Sequence, residues 1–136
     1  MTRLGQLVAR AASGRPVAHA TIEELARTHQ VDASALYASA GATTTVEFAR
    51  EHRVAFVVCG GTCQSFGAID ILQRLVELRH KRHKSWFKKA FDIQAKSCLN
   101  GCEHAPMVRV HTRDGIGYVQ RATPDEVSEA VKDFCG

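Results

Sequence analysis

The chain has 136 residues, which suits one domain with a small appendage, and its hydrophobic fraction of 45% and charged fraction of 24% are ordinary for a globular protein. This composition excludes a disordered, collagen-like or coiled-coil chain, and no apolar run reaches the roughly 20 residues of a membrane span. The net charge is +4, and a third of the Lys and Arg residues lie in one basic segment, residues 79–89.

The compartment follows from the start of the sequence and from its cysteines. The first residues have no apolar core of signal-peptide length, so we expect a cytoplasmic protein. Five cysteines in such a chain indicate metal or redox chemistry rather than structural disulfides.

Residues 1–52 are expected to form a helical N-terminal section. Thr21 and Glu24 fit a capping box ahead of a short apolar stripe, which predicts a helix over about 21–29 with Thr21 as its N-cap. Asp32 is the expected cap of a second helix, and a third helix is predicted over about 44–51.

Residues 53–136 alternate between strand and helix patterns. A buried strand is predicted at 54–58, an amphipathic helix at 68–78, a strand at 91–95 and a hairpin of 107–111 with 117–120 around Asp114 and Gly115. Thr123 as N-cap, Pro124 and Glu126 predict the start of a last helix. The order indicates an α/β fold, a sheet with flanking helices as in thioredoxin-like folds, although periodicity alone does not choose among small α/β topologies.

Four cysteines form two C-x-x-x-C pairs, and each pair comes directly after a predicted strand. Two neighbouring strand ends would therefore present two loops to one metal site. Four thiolates suit a [2Fe-2S] cluster or a tetrahedral zinc ion, and the glycines at 60, 61 and 101 favour the cluster because they allow backbone N–H groups close to sulfur. The candidate ligands are Cys59, Cys63, Cys98 and Cys102.

Two other interpretations of these cysteines stay open at this point. One is a zinc-stabilised binding module whose basic segment contacts nucleic acid or a partner protein. The other is a thiol–disulfide oxidoreductase, against which the C-x-x-x-C spacing counts because such enzymes ordinarily use C-x-x-C. Cys135, the penultimate residue, is expected to be a free thiol rather than a ligand.

The second cysteine motif, Cys98-Leu99-Asn100-Gly101-Cys102-Glu103-His104-Ala105-Pro106, resembles that of the thioredoxin-like [2Fe-2S] ferredoxin family. The stretch from Thr21 to Phe48 and the helix start at Thr123 are also similar to that family. The first motif has three residues between its cysteines, where the family commonly has four.

The resemblance implies an electron-transfer role without a catalytic site of its own. The family includes small subunits of respiratory complex I (NADH dehydrogenase), NAD-linked hydrogenases and formate dehydrogenases. The resemblance implies that the partner is a flavin- and NAD-binding subunit. The helices of residues 1–52 and the basic segment are the candidate docking surfaces. The chain has no G-x-G-x-x-G fingerprint and no glycine-rich phosphate loop, so we do not expect it to bind NAD or flavin itself. Nucleic acid is an unexpected partner, and a homo-oligomer stays open.

Overall fold

The computed structural model describes residues 3–43, 46–59, 67–83, 90–96 and 107–135. Five helices and a four-stranded mixed sheet make up these ranges, which confirms the predicted α/β class. None of the described helices is both long and apolar enough to cross a lipid bilayer.

Three helices form the N-terminal section: α1 (Arg3–Ala12), α2 (His19–His29) and α3 (Ala33–Gly41). Helix α1 was not predicted. Helix α2 begins two residues before the expected cap, so Thr21 lies inside its first turn and Ala18 occupies the N-cap position without a side-chain bond. Asp32 is the N-cap residue of α3, as predicted, although its side chain makes no capping hydrogen bond.

The third helix predicted near the end of this section is wrong for the described residues 46–51. That stretch is extended, and Phe48 forms an isolated parallel bridge with Val17. The Val17 N–H donates to the Glu47 carbonyl, and the Ala49 N–H donates to the Val17 carbonyl, both at 2.8 Å. A pairing with a segment thirty residues earlier therefore replaces the local helix.

The sheet contains β1 (Ala55–Cys59), β2 (Asp92–Lys96), β3 (Val108–Thr112) and β4 (Gly115–Val119) in the order β2-β1-β3-β4. Strand β1 runs parallel to β2 and antiparallel to β3, and β3 and β4 form the predicted hairpin. The predicted strand positions are confirmed to within about two residues at each end.

Helices α4 (Ala68–His83) and α5 (Pro124–Cys135) complete the fold, and both begin where the sequence predicts. Thr123 caps α5 as a capping box, since its hydroxyl accepts from the Glu126 N–H and donates to the Glu126 carboxylate, each at 3.2 Å. Helix α4 packs on the parallel pair β1–β2 and contacts α5, while α3 packs against α4 and β2. One hydrophobic core joins the N-terminal helices to the sheet, with Leu36, Phe56 and Leu75 among its fully buried members.

Candidate metal centre

Strand β1 ends with Cys59 at one edge of the sheet, and the described strands at this edge flank residues 60–66 and 97–106, which hold Cys63, Cys98 and Cys102 in the sequence. Strands β1 and β2 are parallel, so both end at this edge, and Cys59 is the last residue of β1 with Lys96 as its register partner on β2. Antiparallel β3 begins at the same edge, because Val108 pairs with Val58. The first segment, 60–66, therefore leaves this edge, and the second, 97–106, both leaves it and returns to it.

The described strand ends limit how far Cys98 can lie from Cys59 along the chain's path. Neighbouring strands lie about 4.8 Å apart, and two residues of extended chain span about 7 Å at most. Cys98 is two residues beyond Lys96, which is the register neighbour of Cys59. If the four cysteines meet at this edge, their thiolates would fit the donor set of either a [2Fe-2S] cluster or a tetrahedral zinc ion.

The ligand set itself stays a prediction. The backbone of Cys59 belongs to β1, whereas Cys63, Cys98 and Cys102 lie outside the described residues. Within the described ranges no group of three or more His, Cys, Asp or Glu side chains is placed to hold a metal ion. That finding leaves the four-cysteine site untested, because three of its members lie in the other segments.

The layer beneath this edge is fully buried. Val58 and Val108, the last described pair before the two cysteine segments, have no exposed surface, and neither has Phe56 one pleat below. Phe56 meets Phe91 edge to face with ring centroids 5.1 Å apart. The strand ends that carry the candidate ligands therefore stand on a closely packed core.

Cys135 lies at the opposite edge of the sheet. It ends α5, is 6% exposed, and lines a cleft with Val54, Ala90 and Thr112, which precede β1 and β2 or end β3. Burial raises the pKa of its thiol, and the positive charge of Arg82 opposes this shift. The structure records Cys135 as a free cysteine, as predicted, although it is packed into the core and not frayed.

Part of the basic segment expected to form a docking surface is buried. Arg79 and Arg82 are 7% and 6% exposed, and the Arg79 Nε donates to the Phe91 carbonyl at 2.9 Å. These two cations of α4 are therefore packed within the fold and not presented to a partner, and residues 84–89 of the segment lie outside the described residues.

A buried polar group in the N-terminal section was missed at the sequence level. The hydroxyl of Tyr37 donates to His19 Nδ1, and His19 Nε2 donates to a Glu23 oxygen at 3.0 Å. Phe48 also stacks with Tyr37, with ring centroids 5.7 Å apart. His19 and Glu23 are four residues apart in a helix, and this spacing could have predicted their contact. The contact of His19 with Tyr37 had no such local signal.

The comparisons with known proteins agree with this geometry. Residues 6–135 match the sequence profile of the family described as thioredoxin-like [2Fe-2S] ferredoxin. No curated protein sequence matches the chain significantly. Among solved structures, the wild type thioredoxin-like [2Fe-2S] ferredoxin from Aquifex aeolicus is similar, with a TM-score of 0.51 and 21% sequence identity over 61% of this chain and 85% of that chain. At this identity the likeness establishes the thioredoxin-like fold.

Proposed function

Because the chain belongs to the thioredoxin-like [2Fe-2S] ferredoxin family, we propose that it works as a one-electron carrier within a larger oxidoreductase. Its cofactor is the [2Fe-2S] cluster that defines this family. When bound, such a cluster accepts and releases one electron, with the charge spread over two irons and their sulfurs. The observation that carries the proposal is the family match over nearly the whole chain.

The proposed ligands are the thiolates of Cys59, Cys63, Cys98 and Cys102. The strand register supports this set, since β1 ends at Cys59 beside Lys96 and Cys98 follows two residues later. The position of Cys135 at the far edge of the sheet leaves it out of the set. In this proposal the buried core fixes the ends of β1 and β2, and these strand ends hold the two cysteine-bearing segments that follow them.

The proposed partner is a flavin- and NAD-binding subunit of a hydrogenase, formate dehydrogenase or NADH dehydrogenase type complex in the cytoplasm. The motif resemblance supports this assignment, and so does the lack of a dinucleotide fingerprint in the sequence. The chain would then relay electrons for a reaction that another subunit catalyses.

Metal and sulfide analysis of anaerobically purified protein tests the cluster. We expect two irons and two sulfides per chain, visible absorption bands, and a rhombic electron paramagnetic resonance signal after one-electron reduction. Stoichiometric zinc in a colourless protein would contradict the proposal and favour the zinc-stabilised module.

Single substitutions test the ligands. Cys98→Ser is expected to remove most of the visible absorption, because a neutral hydroxyl is a far weaker iron ligand than a thiolate. Cys135→Ser is the matched control and is expected to leave the spectrum unchanged. If Cys135→Ser bleaches the protein and Cys63→Ser does not, the ligand assignment is wrong; this comparison also tests the shortened first motif.

A further inference from the structure

The β3–β4 half of the sheet leaves one face open to solvent. Direct register partners share a face of a sheet, and Arg109 pairs with Tyr118 while His111 pairs with Ile116. The alternate residues of β3, Val108 and Val110, face the buried core instead. We define the open sheet face by these side chains together with the last residue of β2: Lys96, Arg109, His111, Ile116 and Tyr118.

Two large apolar side chains are exposed on the open sheet face. Ile116 is 54% exposed and Tyr118 is 57% exposed, and both stand in the outer strand β4. Aromatic and aliphatic side chains beside an arginine are the composition found at the centre of protein–protein contacts. The neighbouring Gly117 belongs to the other face, where Phe134 packs next to it.

The same face carries more positive than negative charge, because Asp92, which shares it by register, is buried and bonded to Arg50 and to the N–H groups of Glu51 and His52. The strand backbones of Lys96 and Arg109 are paired, but neither side chain forms a hydrogen bond or ion pair within the described part of the chain, and the buried Arg109 Nε has no acceptor there. Burial lowers the pKa of His111, and the positive charges of Arg109, Arg50 and Lys96 lower it further. Within the described residues, Arg50 is the member of this group with an acidic partner, Asp92 at 3.6 Å.

The open sheet face adjoins the edge proposed for the cluster. Lys96 is the register partner of Cys59, and Arg109 is the register partner of Val57, two residues before Cys59. Two residues of strand cover about 7 Å and one strand spacing adds about 5 Å across the sheet, so the Arg109 backbone lies within roughly 9 Å of the Cys59 backbone. A partner seated on this face would therefore approach the cluster edge from the side.

We propose that the open sheet face docks the electron-transfer partner through an acidic patch with an apolar centre on that partner's surface. This inference rests on the proposed function, because it assigns the partner's binding site. A second copy of this chain is the wrong occupant, since its open sheet face would bring only the same cationic and apolar side chains and no acid to pair with Lys96 or Arg109. An acidic surface neutralises them and covers Ile116 and Tyr118 at the same time.

The test uses reduced flavodoxin, an acidic one-electron donor, as the probe, with stopped-flow detection of cluster reduction. We expect the second-order rate constant to fall as ionic strength rises, because opposite charges steer the encounter. Lys96→Glu and Arg109→Gln should each lower that constant about three- to tenfold at low salt, whereas Arg27→Glu, an equal charge reversal on exposed helix α2, should change it less than twofold.

The apolar centre is tested separately. Tyr118→Ser should slow the reaction at every salt concentration without changing the dependence on salt, because it removes contact area and no charge. In hydrogen exchange followed by mass spectrometry, oxidised flavodoxin should protect residues 115–119 in the wild-type protein, and this protection should be lost in Lys96→Glu.

The outcomes separate the two proposals. Equal rates in Lys96→Glu and Arg27→Glu, a rate insensitive to salt, or a dimer in sedimentation that Tyr118→Ser converts to a monomer would each overturn the docking site. Missing visible bands and a missing paramagnetic signal in the wild-type protein would overturn the one-electron carrier itself, before any docking is measured.

Discussion

His19 shows how a single buried residue sets the chemistry of its surroundings. Burial is the largest cause that lowers the pKa of His19 below its ordinary 6.5, and the nearby Arg79 lowers it further, while Glu23 and Glu51 oppose the shift. A neutral imidazole fits the contacts, since Nδ1 accepts from Tyr37 and Nε2–H donates to Glu23. Burial also raises the pKa of Tyr37 far above its ordinary value, so its hydroxyl remains a donor.

The sign of the pH dependence follows from this lowered pKa. Between the native pKa and 6.5, the unfolded chain binds more protons than the native protein, so the free energy of unfolding falls as the pH drops through that window. In NMR titration the His19 ring is expected to titrate below 6.5. Glu23→Gln, which keeps the hydrogen-bond acceptor and removes the charge, should lower the pKa further, whereas Glu24→Gln should leave it unchanged. A native pKa above 6.5 would mean that the ion pair outweighs burial.

At the scale of elements, local signals located most helices and strands, and long-range contacts account for the exceptions. The hairpin at Asp114 and Gly115 and the cap at Thr123 need only their own neighbours, and both are where the sequence predicts them. Helix α2 starts at His19, and from this first turn His19 contacts Glu23 on its own helix and Tyr37 on α3, a long-range contact that the capping pattern at Thr21 does not contain. The extended stretch at Phe48 depends on Val17, a pairing that no local periodicity contains.

The contact of α3 with β2 depends on one glycine. A Cβ at Gly41 would lie 2.6 Å from both the carbonyl carbon and the Cβ of Ala95, a distance that requires the helix to move from the strand. We expect Gly41→Ala to lower the free energy of unfolding by about 1–3 kcal/mol through overpacking. Gly117→Ala is the matched control, because its nearest contact would be an ordinary 3.4 Å from the Phe134 ring. Denaturant titration of both variants makes the comparison, and equal stabilities would refute the close packing.

At the scale of the whole molecule, the sequence predicted the kind of cofactor better than it predicted how the helices pack on the sheet. The cysteine pairs could be recognised from their spacing and their position after strands, and the family match agrees with the cluster they indicate. What the sequence could not provide is the way the N-terminal helices meet the sheet, since that depends on contacts such as Gly41 against Ala95. The expected boundary at residue 52 stays a prediction, although one core extends from Val8 on α1 to Val131 on α5.

This continuous core predicts that the protein unfolds in one cooperative transition. Leu36 of α3 is buried in the same cluster as Phe56 of β1 and Leu75 of α4, so separating the helical section from the sheet would expose all of these side chains to water. In native-state hydrogen exchange with increasing denaturant, the best-protected amides of α3 and β1 should therefore open with the same free energy, within the roughly 5–15 kcal/mol usual for a whole domain. If the free energy of opening for α3 were several kcal/mol lower than that for β1, residues 1–52 would instead fold as a separate unit docked on the sheet.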